Sequence, residues 1–212
     1  MNSIVGLLAA TALLVGGIWL TRQHGQTPTV LSVSSSPTHD FTKKSQPSIN
    51  LVAGLGVEND AHAGVTDQHL SRLKLQPAQK NLRQVHLIHN EILQEHGLNP
   101  ADIGENITTN GIDLLSLGRG TRLRFVTRGR KHEPIASSRA PCIVITGLRN
   151  PCPQIEKFRK GLQAKFVERD EQRKIKARKA GIMSVVEKGG QVEPGMSIIV
   201  EKPPEHIALD VV

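Results

Sequence analysis

The chain has 212 residues and a formal net charge of +8, with 38% hydrophobic residues but only four Phe, one Trp and no Tyr. That length fits one domain plus extras, and the poverty in aromatics leaves Val, Ile and Leu to fill the core, which favours pleated sheets. The same poverty argues against a nucleic-acid function, because base stacking needs aromatic side chains, and two cysteines, Cys142 and Cys152, give no disulfide framework beyond one possible bridge.

Residues 2–20 carry no charge and are dominated by Leu, Ala, Val, Ile and Gly. At helical rise they cover about 28 Å, close to the hydrocarbon thickness of a bilayer. Trp19 stands at the C-terminal end of the run, and Arg22 and His24 follow. The expectation is therefore an N-terminal membrane anchor over 1–22, favoured over a cleaved signal because no Lys or Arg precedes the apolar run. The first cations follow the span, which predicts a single-pass membrane protein with its domain facing the cytosol. Residues 23–48, rich in Ser, Thr, Pro and Gln, read as a linker, with the alternating VLSVSSSP piece open as a first strand.

The domain proper is expected over 49–203, with 204–212 as a tail. INLVAGLGV reads as a short strand entering a Gly-rich turn. Across 79–96, Leu82, Val85, Ile88 and Ile92 recur at helical spacing, and Gly97 then stops the helix. That helix would carry His86, His89 and His96 as surface histidines. Residues 103–126 break into short apolar runs at Asn110-Gly111 and Gly118-Arg119-Gly120, a strand-and-turn pattern. CIVITG is a buried strand. After it, Ile155, Phe158, Leu162 and Phe166 mark one stripe of a helix, and two strands joined through Gly-Gly and Pro194-Gly195 turns close the domain. The fold class expected is mainly β with helical insertions (α+β), a β-barrel-like domain preceded by one transmembrane helix. Residues 156–179 hold ten Lys and Arg against four acids, a solvated helix face or a site for anions.

Cys152 is the sharpest chemical candidate. Pro151 and Pro153 hold it on a non-helical turn before a helix, where free N–H groups and the dipole favour a thiolate, and Arg149 three residues earlier adds positive potential. A small buried residue at a turn is the alternative, and the residues alone leave the two open. Cys142, at the start of an apolar strand, reads as packing. Glu58, Asp60 and His62 alternate, so an extended segment would aim all three to one side, as a polar wall or as metal ligands. Glu105 and Asn106 follow Gly104, which permits close approach of backbone to a ligand. Arg83, at the start of the expected helix, is placed to pair with a carboxylate. No Walker loop, dinucleotide fingerprint, paired CxxC or HExxH occurs.

Taken in order, GLGVENDAHAG, NLRQVHLI, IGENITTNGIDL, ITGLRNPCPQIEKF and AGIMSVVEKGGQVEPGMSIIV resemble the MOSC domain, the C-terminal module of molybdenum-cofactor sulfurases. The resemblance spans roughly residues 30–200. It implies a strand-rich, barrel-like fold that binds molybdenum cofactor or handles sulfur on one cysteine, which Cys152 matches. It implies further that Cys152 is a thiolate ligand to molybdenum, that Glu58, Asp60, His62, Arg83, Glu105, Asn106 and Arg149 surround the cofactor, and that an N-hydroxylated small molecule is reduced. Because no flavin, haem or iron–sulfur motif is present, a separate electron donor is needed, or a sulfur donor if Cys152 only carries a persulfide. The amidoxime-reducing components also combine such a domain with an N-terminal anchor, which brings the mitochondrial outer membrane into view as a location. Asn59 stands where stand-alone members commonly have Gly, and 128–141 is longer and more basic than the usual connection.

Overall fold

A computed structural model describes residues 27–128 and 139–212. Seven of its strands form a ring, and that ring sets the position of everything else. In chain order the elements are β1 (Thr29–Ser35), β2 (Lys44–Gln46), β3 (Ile49–Val52), β4 (Gly56–Val57) and β5 (Val85–His89), then α1 (Asn90–Glu95) and β6 (Ile107–Asn110). After a 3-10 turn come β7 (Arg122–Val126), β8 (Cys142–Leu148), α2 (Pro153–Phe158) and α3 (Leu162–Lys165). The chain continues through β9 (Val167–Arg169), β10 (Ile175–Arg178), β11 (Ile182–Lys188), β12 (Gly190–Val192) and β13 (Ser197–Glu201).

The main sheet runs β13-β7-β8-β11-β5-β6-β1-β2, and β13 also pairs with β1, which closes seven strands into a barrel with β2 hung on β1. Neighbours are antiparallel except β5 and β6, which are parallel and joined by the crossover through α1. β1 divides its free edge: Thr29 meets Ser197 of β13, while Val33–Ser35 meet β2. β12, β3 and β4 make a small second sheet, and β9 with β10 a separate two-stranded ribbon.

Val, Ile and Leu fill the barrel, as the composition demands; Val33, Leu87, Ile107, Leu123 and Ile143 are fully buried, with Phe125 the one aromatic ring among them. A second cluster lies outside the ring, where Ile88, Leu93, Ile103, Ile155, Leu162 and Phe166 pack between β5 and the short helices. Fully burying such side chains contributes about 1.5–3 kcal/mol each. Both faces of β5 are therefore covered, and all five of its residues are buried.

The mainly β, barrel-type expectation agrees with the structure, and VLSVSSSP is indeed a strand, β1. Four local readings are corrected. Residues 79–96 are not one helix: the run that fitted a helical period is the doubly buried strand β5, leaving only six residues to α1. His86 and His89 are accordingly buried strand residues rather than surface helix residues. The expected helix after Cys152 is broken at Gly161, which has a φ of 78°, so Ile155, Leu162 and Phe166 are buried while Phe158 is left exposed. The basic stretch is thus not one helix face but α2, α3 and the β9–β10 ribbon. The 204–212 tail returns to β8, where Leu148 N–H donates to the Asp210 carbonyl and a bridge joins Leu148 to Val211.

The membrane localisation is also corrected. Among the described residues no helix is long and apolar enough to cross a membrane. The run on which the anchor was expected, 2–20, lies outside the described residues.

Candidate functional site

β8 leads to the site. Its last residues carry the chain out of the barrel wall into Arg149, Asn150, Pro151 and Cys152, and Pro153 then opens α2. Cys152 occupies the cap position of that helix in extended geometry (φ −82°, ψ 160°). Its Sγ lies 3.8 Å from the Gln154 side chain and faces Arg149. The thiol stands half-buried at the wall of a cavity of about 290 Å³.

The buried wall of this cavity is polar. Arg149 is 8% exposed, and its Nη1 is buried without a hydrogen-bond partner. Among the described residues no carboxylate lies within ion-pairing distance of it. Burial pushes its guanidinium below the ordinary arginine range, while the facing Cys152 sulfur and the Glu105 carboxyl act the other way. His86, fully buried, donates from Nε2 to the Ala180 carbonyl at 2.9 Å; burial and the nearby Arg149 hold it neutral.

Asp60 anchors several of the lining residues. It accepts from Lys43 Nζ at 2.7 Å, Asn106 Nδ2 at 3.0 Å, Ser36 N at 3.2 Å and His62 N at 3.0 Å, and its Oδ1 lies 3.2 Å from His62 Nδ1. Burial alone would raise this carboxyl, but the His62 hydrogen bonds and the Lys43 charge overcome it and hold Asp60 well below the usual carboxylate range. The Lys43–Asp60 pair is almost wholly buried. Asn106 uses every face of its amide: it also accepts from His86 N–H at 3.1 Å and donates to Ser34 O at 3.2 Å.

Of the residues singled out from sequence, Asp60, His62, Arg83, Asn106, Arg149 and Cys152 come together here, five of them on the cavity wall and Asp60 behind Lys43 and His62. Arg83 precedes β5 in a loop rather than starting a helix, and its Nη1 donates to the Val212 carbonyl at 2.9 Å. Glu58 does not join them. Asn59 takes a left-handed φ of 58°, so the segment turns instead of extending, and Glu58 faces solvent, where it accepts from Asn50 at 3.2 Å. It lines a separate shallow polar groove. Glu105 lies beneath the site rather than on it: fully buried, it accepts from Ala101 N at 2.6 Å and Thr108 Oγ1 at 2.9 Å, and burial raises its carboxyl. Gly104 supplies close approach, but to the Phe41 carbonyl, which a Cβ would strike.

Sequence reasoning missed Lys43, His39, Phe41, His69 and Met183, all of which line the cavity. Lys43 is buried while its neighbour Lys44 is exposed, and nothing in the pair of lysines marks which one turns inward. Cys142 behaves as expected of a packed thiol: buried in β8, it is pushed up to about 12, chiefly by burial. Both cysteines are free. Among the described residues no group of three or more His, Cys, Asp or Glu is arranged to hold a metal ion.

No protein-family model matches the chain, and no curated protein matches it significantly. Solved structures do. YuaD from Bacillus subtilis is similar with a TM-score of 0.62 at 23% identity, over 84% of this chain and 97% of its own. YiiM from Geobacillus stearothermophilus is similar with a TM-score of 0.54 at 12% identity, over 86% and 79% of the two chains. YiiM from Escherichia coli is similar at 0.51 and 15%, over 85% and 73%. At these identities the likeness is one of fold: the chain has the mainly β, barrel-closing architecture of YuaD and YiiM.

Proposed function

We propose that the chain is a MOSC-type domain that binds molybdenum cofactor with Cys152 as the protein's thiolate ligand to the metal, and that it reduces N-hydroxylated small molecules. The observation that carries this reading is the pairing, in one cavity, of the Cys152 sulfur with a buried Arg149 whose Nη1 has no partner. An unpartnered donor on a buried cation is costly, and an anionic occupant of the cavity would supply the missing partner. The donor set fits such a cofactor: a soft thiolate suits molybdenum, while Arg149 and Arg83 suit the anionic groups of a pterin phosphate. Only one protein ligand is needed when the pterin brings its own sulfurs. The fold shared with YuaD and YiiM and the ordered motifs of the sequence support the same assignment.

When bound, the cofactor supplies a centre that accepts and delivers electrons to an N–O bond. The chain's own residues set the conditions. Cys152 would hold the metal from the cavity wall. Arg149, kept buried, neutralises negative charge without the reorganisation that water would require. Asp60 binds Lys43, His62 and Asn106, three residues that line the cavity, and fixes their positions.

The test is the molybdenum and pterin content of the purified protein beside its Cys152→Ala variant, after expression in a host that makes the cofactor. Near-stoichiometric molybdenum in the wild type, lost in the variant, is expected; full molybdenum and activity in the variant would sink the proposal. The half-exposed position of Cys152 supports a second reading, a persulfide carrier that receives sulfur from a donor protein. Persulfide labelling that survives Cys152→Ser would reject that reading.

A further inference from the structure

The face around the cavity mouth carries charge that the barrel does not use. Two excursions flank the mouth. One is the segment 65–83, whose Leu70 and Arg83 line the cavity. The other starts at Cys152 and runs through α2, α3, β9 and β10. It is tied back to the rim where Arg178 Nε donates to the Asn150 side chain at 3.1 Å. β9 and β10 pair only with each other, so the ribbon stands beside the barrel and adds no strand to it.

Residues 156–179 hold ten cations against four acids. Three of those acids are already engaged within the segment. Glu156 accepts from the N–H groups of Gly161 and Gln163, Asp170 from that of Lys174, and Glu168 pairs with Lys179. Lys157, Lys160, Lys165, Lys174 and Lys176 are exposed and make no ion pair among the described residues. On the other bank Lys74 and Lys80 are exposed in the same way. Like charges crowded on a two-stranded ribbon repel one another and stabilise nothing within the chain; they favour a partner of opposite sign.

Both excursions also expose apolar side chains. On the first, Leu70, which lines the cavity, is 55% exposed, and Leu73 and Leu75 are exposed too; on the second, Phe158 is 41% exposed, its ring 5.5 Å from that of the cavity-lining Phe41. Exposed apolar side chains among charged ones are the anatomy of a protein–protein contact. It does not suit RNA, since Phe158 is the only aromatic ring exposed on it among the described residues.

We propose that this face docks a small acidic protein, which brings its own reactive group to the mouth of the Cys152 cavity. The inference rests on the proposed reading of Cys152, under which the chain needs a separate donor, but the docking itself does not depend on metal content. The experiment therefore uses the full chain free of cofactor. Flavodoxin, an acidic electron carrier, is titrated by calorimetry at about 0.02 M and about 0.5 M salt. Cytochrome c, a basic carrier, phosphatidylglycerol vesicles and single-stranded RNA are titrated in parallel. One-to-one binding of flavodoxin at low salt, absent for cytochrome c, is expected. It weakens at least about tenfold when Lys157→Glu, Lys160→Glu, Lys174→Glu and Lys176→Glu are combined, at unchanged melting temperature. If the fourfold variant does not fold, the two pairwise variants serve, each weakening binding about threefold. Flavodoxin binding that is absent, or indifferent to these reversals, overturns the proposal. Vesicles or RNA binding more tightly through the same lysines also overturn it and reassign the face. Molybdenum absent from the wild type, or retained in full by Cys152→Ala, would overturn the cofactor reading in the separate metal assay while leaving this binding result standing.

Discussion

Asp60 accepts hydrogen bonds from Ser36, Lys43, His62 and Asn106, and so ties the end of β1, the approach to β2 and the approach to β6 into one polar knot. Replacing it with Ala leaves the Lys43 ammonium buried and unpaired. A loss of about 3–5 kcal/mol is expected, read by urea denaturation. His86 gives a pH signature. Its folded form is held neutral well below the ordinary value of 6.5, so the unfolded chain binds the extra proton. The stability that follows is fully present above about 6.5 and falls as pH drops below it, by up to about 1.4 kcal/mol per pH unit. His86→Gln is expected to flatten that slope. Asp60 acts lower: its contribution is present above the unfolded value of 3.8 and is lost as pH falls toward its depressed folded value. The two cysteines should separate by reagent. Iodoacetamide is expected to label Cys152 alone in the folded protein and Cys142 only after unfolding, because Cys142 is buried and protonated up to about 12. Residue-scale legibility was uneven for the same physical reason. Cys152 announced itself through its flanking prolines, whereas the inward turn of Lys43 depends on an Asp60 partner seventeen positions away.

At the scale of elements, the period of the apolar residues was ambiguous where both faces of a strand are covered. Leu82, Val85, Ile88 and Ile92 satisfy a helix, yet Val85–His89 satisfies a buried strand equally well, and pairing with β6 and β11 decides the outcome. CIVITG, with β-branched residues and no competing period, was legible at once. The β5–β11 pair also makes a sharp test. Gly181 has a φ of 92°, and a Cβ there would strike the Leu87 carbonyl inside the sheet. Gly181→Ala is expected to cost about 2–4 kcal/mol in chemical denaturation. α2 predicts the opposite direction. Cys152 sits at its cap without a side-chain cap bond, so Cys152→Ser should keep the fold and gain up to about 1 kcal/mol while removing the thiol. That makes it the cleaner partner to Cys152→Ala in any metal assay.

For the molecule as a whole, composition conveyed the barrel's substance and not its outline. A Val-, Ile- and Leu-rich chain with few aromatics had to pack sheets, and it does; that the ring has seven members depends on long-range pairings no local pattern encodes. The helical spacing after Cys152 likewise hid the fact that the basic stretch leaves the barrel as a separate ribbon.

The ring closes where β1 meets β13, at the pairing of Thr29 with Ser197. These are the first and last described strands, so the seam joins positions far apart in sequence, and the chain's ordering entropy must be met before the contact rewards it. During synthesis, then, β1 cannot find β13 until nearly the whole domain has left the ribosome. Until that moment the nascent chain shows an open sheet with unpaired edges, the state in which a β protein is most prone to aggregate. The longer that wait, the longer those edges stand open to other chains.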